Sequence, residues 1–474
     1  MHLPLEIIEQ VIDELRDDIV TLKSTAQTCH ALLPLCRKHI FRSIDLTPHS
    51  QVPCSYSPLS HLFQHVLNRN PDIGRYVRDL TLTLYVSNFP WHGGLTIPES
   101  LDSGICQSLT KLPQLHKLDI TGGYSHRYNI HTKWNTIHPD HRQSLLHCIH
   151  SSSLTELRIT NFEVPITIFR ACFNLTILKN LSLRKGFQGE FLYMDQLSQP
   201  VNVAVPQLRC LEFQGQFIPK VVASRYSNGY PILRLHKLKT LIAQGDEIEA
   251  VQAVSEILRE AREVENFTYM VYGSPHGFLG FAGWINRDAF STLKILKVVC
   301  NAIENEDPLR GLSEELEAFP RTNVLDTLDI NVAVETDNLF STGGEWGRLD
   351  AVLSGNFVAL RRVSIHIVIW IYQERPEIKT LHEELNKLPQ TQFPWLSENT
   401  AIYFDFSTGV DYVRISPLSS NIFGAEMRVR FRKINGNYHL GEIDFIDLFE
   451  FEFGVDKGGV VEIGLYLFFG SVTV

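Results

Sequence analysis

No Cys-x-x-Cys pair occurs in the chain, and no G-x-S-x-G elbow, H-E-x-x-H pair, G-x-x-x-x-G-K-[ST] loop or kinase signature set. These absences remove the zinc-ribbon, serine-hydrolase, zincin, P-loop and kinase classes, so no catalytic residue is nominated and the chain is read as a non-enzyme. Positive charge is also scarce. Against 53 Asp and Glu stand 43 Lys and Arg, a net charge of -10 over 474 residues, which gives no overall field to gather on a polyphosphate backbone. Nucleic acid is not an expected partner. Long hydrophobic runs are missing too: the closing "GVVEIGLYLFFGSVTV" is short for a membrane span and is broken by Glu462 and Gly464, so it reads first as a buried closing strand, with a tail anchor and a poorly ordered end as alternatives. A basic n-region is absent at the start, where Glu6, Glu9, Asp13 and Glu14 interrupt the apolar residues at once, which excludes a signal peptide. Eight scattered cysteines (Cys29, Cys36, Cys54, Cys106, Cys148, Cys172, Cys210, Cys300) then fit reduced thiols in cytosol or nucleus, and the sequons at Asn174, Asn180 and Asn266 are read as chance.

What is present begins with "MHLPLEIIEQVIDELRDDIV". Ile7, Ile8, Val11, Ile12 and Leu15 fall at i, i+1, i+4, i+5 and i+8, an apolar stripe on a helix whose acidic residues lie largely elsewhere. Pro4 stands near the first turn, where a missing N–H costs nothing. A second helix is expected from about Asp18, whose carboxylate can cap it, turning Leu22, Ala26, Cys29 and Leu33 inward until Pro34 stops it. "PLCRKHIF" reads as a short third helix. Three short helices bury little surface by themselves, so the segment needs a partner or the downstream chain for stability.

"LPLEIIEQVIDEL" followed by "TCHALLPLCRKHIF" resembles the F-box family, in the form common among fungal F-box proteins. Leu3, Pro4, Glu6 and Ile7 match the Leu-Pro-x-Glu-Ile opening, Ile12 and Leu15 the apolar continuation, and Cys29, Leu33, Pro34, His39 and Phe41 the second half. Leu32 stands where many relatives carry Trp, and His30 where they carry Arg. The resemblance implies a module, residues 1–46, that binds a Skp-type adaptor through Leu3, Pro4, Glu6, Ile7, Ile8 and Ile12, and through it a cullin and RING subunit.

Downstream the pattern L-x-x-L-x-L recurs: "FRSIDL" at Phe41, "VRDLTL" at Val77, "LHKLDI" at Leu115, "LTELRI" at Leu154, "LKNLSL" at Leu178, "LRCLEF" at Leu208, "LKTLIA" at Leu238, "VENFTY" at Val264, "LKILKV" at Leu293, "LDTLDI" at Leu325 and "LRRVSI" at Leu360. Each is a short strand with alternating inward residues, at intervals of about 24 to 39 residues. Between them "SPLSHLFQHVLNRN" and "DEIEAVQAVSEILREAREV" read as helices, with "HRQSLLHCIH" and "ITIFRACF" as shorter candidates. The fold class is therefore α/β, closed or doubly wound or an open solenoid, and the repeated motif favours a leucine-rich-repeat-like solenoid over residues 47–375. This too resembles F-box proteins with leucine-rich repeats. Because "FRSIDL" starts as the helical module ends, no flexible linker is expected.

Residues 376–474 are read as a separate segment, a helix in "PEIKTLHEELNKLPQ" and a hairpin about Asn435-Gly436 that caps the array. The histidines from His126 to His150, through His131, His138, His141 and His147, show ligand-like spacing but complete no zinc pattern and are read as a solvated loop leading into a helix; no metal or other cofactor is expected. "YGSPHGFLGFAGW" is read as a long loop. In each strand frame the positions beside the last two apolar residues face outward, which nominates Lys117, Asp119, Glu156, Arg158, Arg184, Glu212, Lys297, Asp329 and Arg362 as a surface of mixed sign for an unidentified substrate protein. Two functions fit: substrate adaptor of a ubiquitin ligase, or a repeat scaffold with no link to ubiquitin.

Overall fold

The computed structural model describes residues 4–29, 31–47, 58–84, 107–122, 132–134, 137, 139–165, 168–169, 172–181, 205–214, 217–226, 229–245, 248–272, 278–303, 307–335, 344–371, 376–412, 431–434 and 437–440. The chain is α/β, and twelve parallel strands dominate it. They lie side by side in chain order: β1 (Ser43–Asp45), β2 (Asp79–Leu84), β3 (Lys117–Gly122), β5 (Glu156–Thr160), β7 (Ile177–Leu181), β8 (Cys210–Phe213), β9 (Thr240–Gln244), β10 (Asn266–Tyr272), β11 (Ile295–Ile303), β12 (Thr327–Glu335), β13 (Arg362–Ile371) and β14 (Tyr403–Tyr412). Two-residue strands β4 (Thr132–Lys133) and β6 (Phe162–Glu163) form a ladder of their own. Antiparallel strands β15 (Phe431–Ile434) and β16 (Asn437–Leu440) complete the large sheet, with Ile434 opposite Asn437 as the Asn435-Gly436 hairpin reading requires.

One hydrogen-bond device repeats at the entrance of the strands. The Arg42 carbonyl accepts from the N–H groups of both Arg78 and Asp79, the Arg78 carbonyl from His116 and Lys117, and so on to the Asp326 carbonyl with Arg361 and Arg362. Strand alternation then does the rest: Leu118, Leu157, Leu178, Leu211, Leu241, Phe267, Leu296, Leu328 and Val363 form one fully buried row across the sheet. That row packs on the helices that return the chain between strands. They are α4 (Pro58–Arg69), α5 (Pro139–Ile149), α6 (Phe217–Ala223), α7 (Ile248–Glu260), α8 (Phe281–Trp284), α9 (Leu312–Glu317), α10 (Glu345–Asn356), α11 (Pro376–Leu385), α12 (Leu388–Thr391) and α13 (Pro394–Glu398), preceded by α1 (Leu5–Glu14), α2 (Ile19–Thr28) and α3 (Leu33–Ile40). No described helix is long and apolar enough to cross a membrane.

Four sequence expectations need correction. The fifth strand frame starts at Leu175, not Leu178, because Leu178 pairs with Leu157 and the Thr155 carbonyl accepts from Thr176 and Ile177. The parallel array does not end near residue 375: β14 pairs with β13 over ten positions, carrying Phe404 and Phe406 where earlier strands carry Leu or Ile, so the 375/376 boundary cuts through it. α2 ends at Thr28, where Cys29 turns extended and exposed, and Pro34 opens α3 instead of closing α2. Part of the Gly-rich "loop" is core: Phe278 and Phe281 are buried against Tyr269, with Phe281 stacked at 6.0 Å. "ITIFRACF" forms no described helix, and the tail after Leu440 lies outside the described residues.

Carboxylate interlocks tie α9 to α8 and α10 to α13. Glu315 of α9 accepts from the N–H groups of Gly280 (2.6 Å) and Ala282 (2.7 Å) at the start of α8. Asp350 of α10, 5% exposed, does the same for Trp395 and Leu396 of α13, at 3.0 Å each. Carboxylates thereby satisfy helix-start donors that have no intrahelical acceptor.

Candidate functional site

Two surfaces stand out, one at each end of the chain. The first is α1–α3. The Asp18 carboxylate caps α2, with the Thr21 N–H at 3.0 Å and the Thr21 hydroxyl at 2.6 Å, and these bonds hold its pKa below the ordinary value. Asp13 of α1 meets His39 of α3 at 2.8 Å and Lys38 at 3.4 Å; burial works to raise its carboxyl, yet the Lys38 charge and the hydrogen bonds from Lys38 and His39 keep it lowered.

Inside, Ile12, Leu22 and Cys36 form a core of their own, with Ile8, Leu15, Ala26, Leu32, Leu35 and Ile40 packed around it, separate from the core of the sheet. α1 is therefore apolar on two faces. Ile8, Ile12 and Leu15 point inward at i, i+4, i+7, while Pro4, Ile7 and Val11 form an adjoining, exposed stripe at i, i+3, i+7. Leu5 (56% exposed), Ile7 (43%), Val11 (56%) and, on α2, Val20 (76%) stand in solvent. Of the residues nominated for adaptor contact, Pro4, Glu6 and Ile7 are exposed and Ile8 is half-buried. Ile12 is a correction: it is 3% exposed and holds the module together, so it has nothing to offer a partner. Leu3 lies outside the described residues. Leu5, Val11, Ile19 and Val20 were missed because a single-stripe reading assigns Val11 inward and ignores the first turn of α2.

The second surface is the sheet face turned away from the helices. Register places Asp45, Thr81, Asp119, Arg158, Lys179, Glu212, Ile242, Thr268, Lys297, Asp329, Ser364 and Asp405 in one row across it. Lys117, Glu156 and Arg362 stand two residues earlier on their strands, in the adjoining row. Eight of the nine nominated residues thus share the face, as alternation requires. Arg184 lies outside the described residues, and the Leu175 frame puts Lys179, in register with Arg158, between its last two positions, where "LKNLSL" had Ser182. Tyr403 and Asp405 were missed because β14 lacks a leucine frame.

Along the first half of this face the charges neutralise one another: Lys117 with Glu156 at 3.3 Å, Arg158 with Asp119 at 3.7 Å, Lys179 with Glu212 at 3.0 Å. Burial pushes the Asp119 carboxyl up against the pull of Arg158 and Lys117, and the hydrogen bond to Glu212 raises Lys179. Half-exposed pairs of this kind contribute on the order of 1 kcal/mol or less to stability. In the second half the pattern breaks. Lys297, Asp329, Arg362 and Asp405 make no ion pair among the described residues. Arg362 lies over the ring of Tyr403, 5.7 Å from its centroid, and Tyr403 is 64% exposed. Beside β14, an open depression of about 660 Å³ is lined by Arg361, Leu396, Tyr403, Phe404 and Phe406 among others.

Among the described residues no three His, Cys, Asp or Glu side chains gather as a metal site. His141 is buried on α5 and the His150 ring nitrogen lies 3.0 Å from the Ile168 carbonyl; His126, His131 and His138 lie outside the described residues. The six described cysteines are free thiols, with burial pushing Cys148 and Cys172 up to about 12. Comparison with protein-family models finds none that matches the chain, and comparison with curated proteins finds no match either.

Proposed function

We propose that the chain is a substrate-recognition adaptor of a Skp-cullin-F-box type ubiquitin ligase: α1–α3 dock a Skp-type adaptor, and the outward sheet face of a leucine-rich-repeat-like solenoid holds the protein to be modified. The transfer chemistry belongs to other subunits, and the compartment is cytosol or nucleus. The observation that carries this reading is the second apolar face of α1. A helix that has already buried Ile8, Ile12 and Leu15 in its own core still exposes Ile7 and Val11 on one flank and Leu5 on the other, with Val20 of α2. Solvent-exposed apolar groups gathered within one turn or two mark an interaction surface.

Against the rival reading, in which the helices merely cap the array, stands the separation of the two cores. A cap would share its buried residues with the first strand, as Phe41 and Ile44 do. The spaced matches to the F-box opening at Pro4, Glu6 and Ile7 add the identity of the partner. Only Phe41 and Arg42 separate α3 from β1, so docking at one end fixes the orientation of the other.

Copurification of a Skp-type adaptor with the full chain tests the proposal. Retained capture is expected for the wild-type chain, with a loss of tens of fold for Pro4→Ala or Ile7→Ala alone and of several hundred fold, on the order of 4 kcal/mol, for the two together, since each desolvated anchor contributes on the order of 2 kcal/mol at such interfaces. A folded double variant that captures the adaptor undiminished sinks the docking assignment. No capture by the wild-type chain leaves the scaffold without ubiquitin.

A further inference from the structure

We infer that the recognition surface is confined to strands β11–β14 and takes an extended acidic peptide, whose carboxylate is received by Arg362 on its Tyr403 platform. This deepens the substrate side of the proposed function and rests on the outward face being that side. Three observations carry it.

First, the charges of β3–β8 are already spent on one another, in the three ion pairs described above. A partner would have to break them to use them. Arg362 is held differently: its guanidinium rests on an aromatic ring, and none of its N–H donors meets an acceptor among the described residues. A guanidinium pre-positioned by stacking, with its planar fork unused, is suited to bidentate capture of a carboxylate.

Second, further along the face from the platform lies a small apolar shelf. Six residues along β13 from Arg362 stands Val368, flanked in register by Ala333 and Gly409, and open space surrounds the position a Gly409 side chain would occupy. An extended peptide crosses that distance, about 20 Å, in six residues. Third, Asp329 and Asp405 flank Ser364, in the row next to Arg362 and two residues along β13 from it. Two carboxylates so close oppose a dianionic phosphate more than a monoanionic side chain, which favours aspartate or glutamate over a phosphorylated residue.

The test uses the full chain alone and a fluorescein-labelled Gly/Ser peptide bearing one Glu and, about six residues on, one Leu. Two further peptides replace Glu with phosphoserine or with Lys, and binding is read by anisotropy. Saturable binding of the Glu peptide is expected, weakened about tenfold by Arg362→Gln and by Tyr403→Ala and unchanged by Arg158→Gln. Circular dichroism confirms that each variant is folded. Absence of saturable binding, equal binding of the Lys peptide, or full binding to Arg362→Gln overturns the inference; tighter binding of the phosphoserine peptide overturns the choice of carboxylate. The adaptor plays no part in this assay, so a chain that binds the peptide but captures no adaptor refutes the ubiquitin reading alone.

Discussion

Asp350→Ala removes one side chain and leaves two donors stranded. In the native chain its Oδ1 and Oδ2 accept from the N–H groups of Leu396 and Trp395, at 3.0 Å each, and Leu396 is 1% exposed. Hydrogen bonds to a charged acceptor contribute about 1.5–3 kcal/mol each, and water reaches only the half-buried Trp395 side readily, so the expected loss is about 3–5 kcal/mol. Asp350→Asn keeps one carbonyl acceptor and should lose about half as much. Amide exchange is the direct assay: a local loss of about 3 kcal/mol raises the opening equilibrium at Trp395 and Leu396 about a hundredfold. α13 leads through Asn399 and Ile402 into β14, so the same variant should also weaken the acidic-peptide binding at Tyr403. Unchanged protection at these two amides, or a global loss under about 1 kcal/mol, would falsify the claim that this carboxylate anchors α13.

The two faces of α1 should separate on mutation: Ile12→Ala is expected to cost about 2–4 kcal/mol in urea unfolding of the α1–α3 segment, whereas Ile7→Ala stays within about 0.5 kcal/mol while reducing adaptor capture. Gly74→Ala would push a methyl into the Lys111 carbonyl, and a loss of about 1–3 kcal/mol with a lowered Tm is expected; an unchanged Tm would show that the neighbouring turn yields freely. Asp13 has a folded pKa below 3.8, so its contribution is complete above that value and disappears as pH falls through the folded pKa. Acid titration followed by exchange at α1 and α3 should show this loosening in the wild-type chain and not in Asp13→Asn.

Much of the fold was legible because strand alternation writes the buried row directly into the sequence: ten of the eleven apolar frames found by spacing coincide with paired strands. The slip at Leu178 arose because "LKNLSL" satisfies the pattern in full, while the frame the structure uses, "LTILKN", ends on buried Asn180 instead of an apolar residue; the pairing of Leu178 with Leu157 distinguishes them. β14 escaped because Phe404 and Phe406 do the packing work of leucines without a leucine at the frame's start. At the docking end, the sequence located the module and the Asp18 cap but not which way α1 is turned, since five apolar residues in two adjoining helical stripes leave the inward side undetermined until α2 and α3 are placed. The pairing state of the outward charges was likewise invisible: Arg158 and Arg362 look alike in sequence, and differ in that one meets Asp119 while the other lies on a ring.

The strands differ in length, and this sets where the molecule is weakest. β11 to β14 are bound to one another over nine or ten registered positions at each seam, whereas β8 is bound to β7 and to β9 over four. In an array whose members touch only their neighbours, cohesion is a sum over seams, so once the shorter end seams, β1–β2 with three positions and β14–β15 with one, have frayed, a pulled or partly denatured chain is expected to part inside the array beside β8. Helices α1–α3, the proposed dock, and the Arg362–Tyr403 platform, the proposed peptide site, fall on opposite sides of that break. Severing it would leave two remnants, one with the proposed dock and no platform, the other with the platform and no dock.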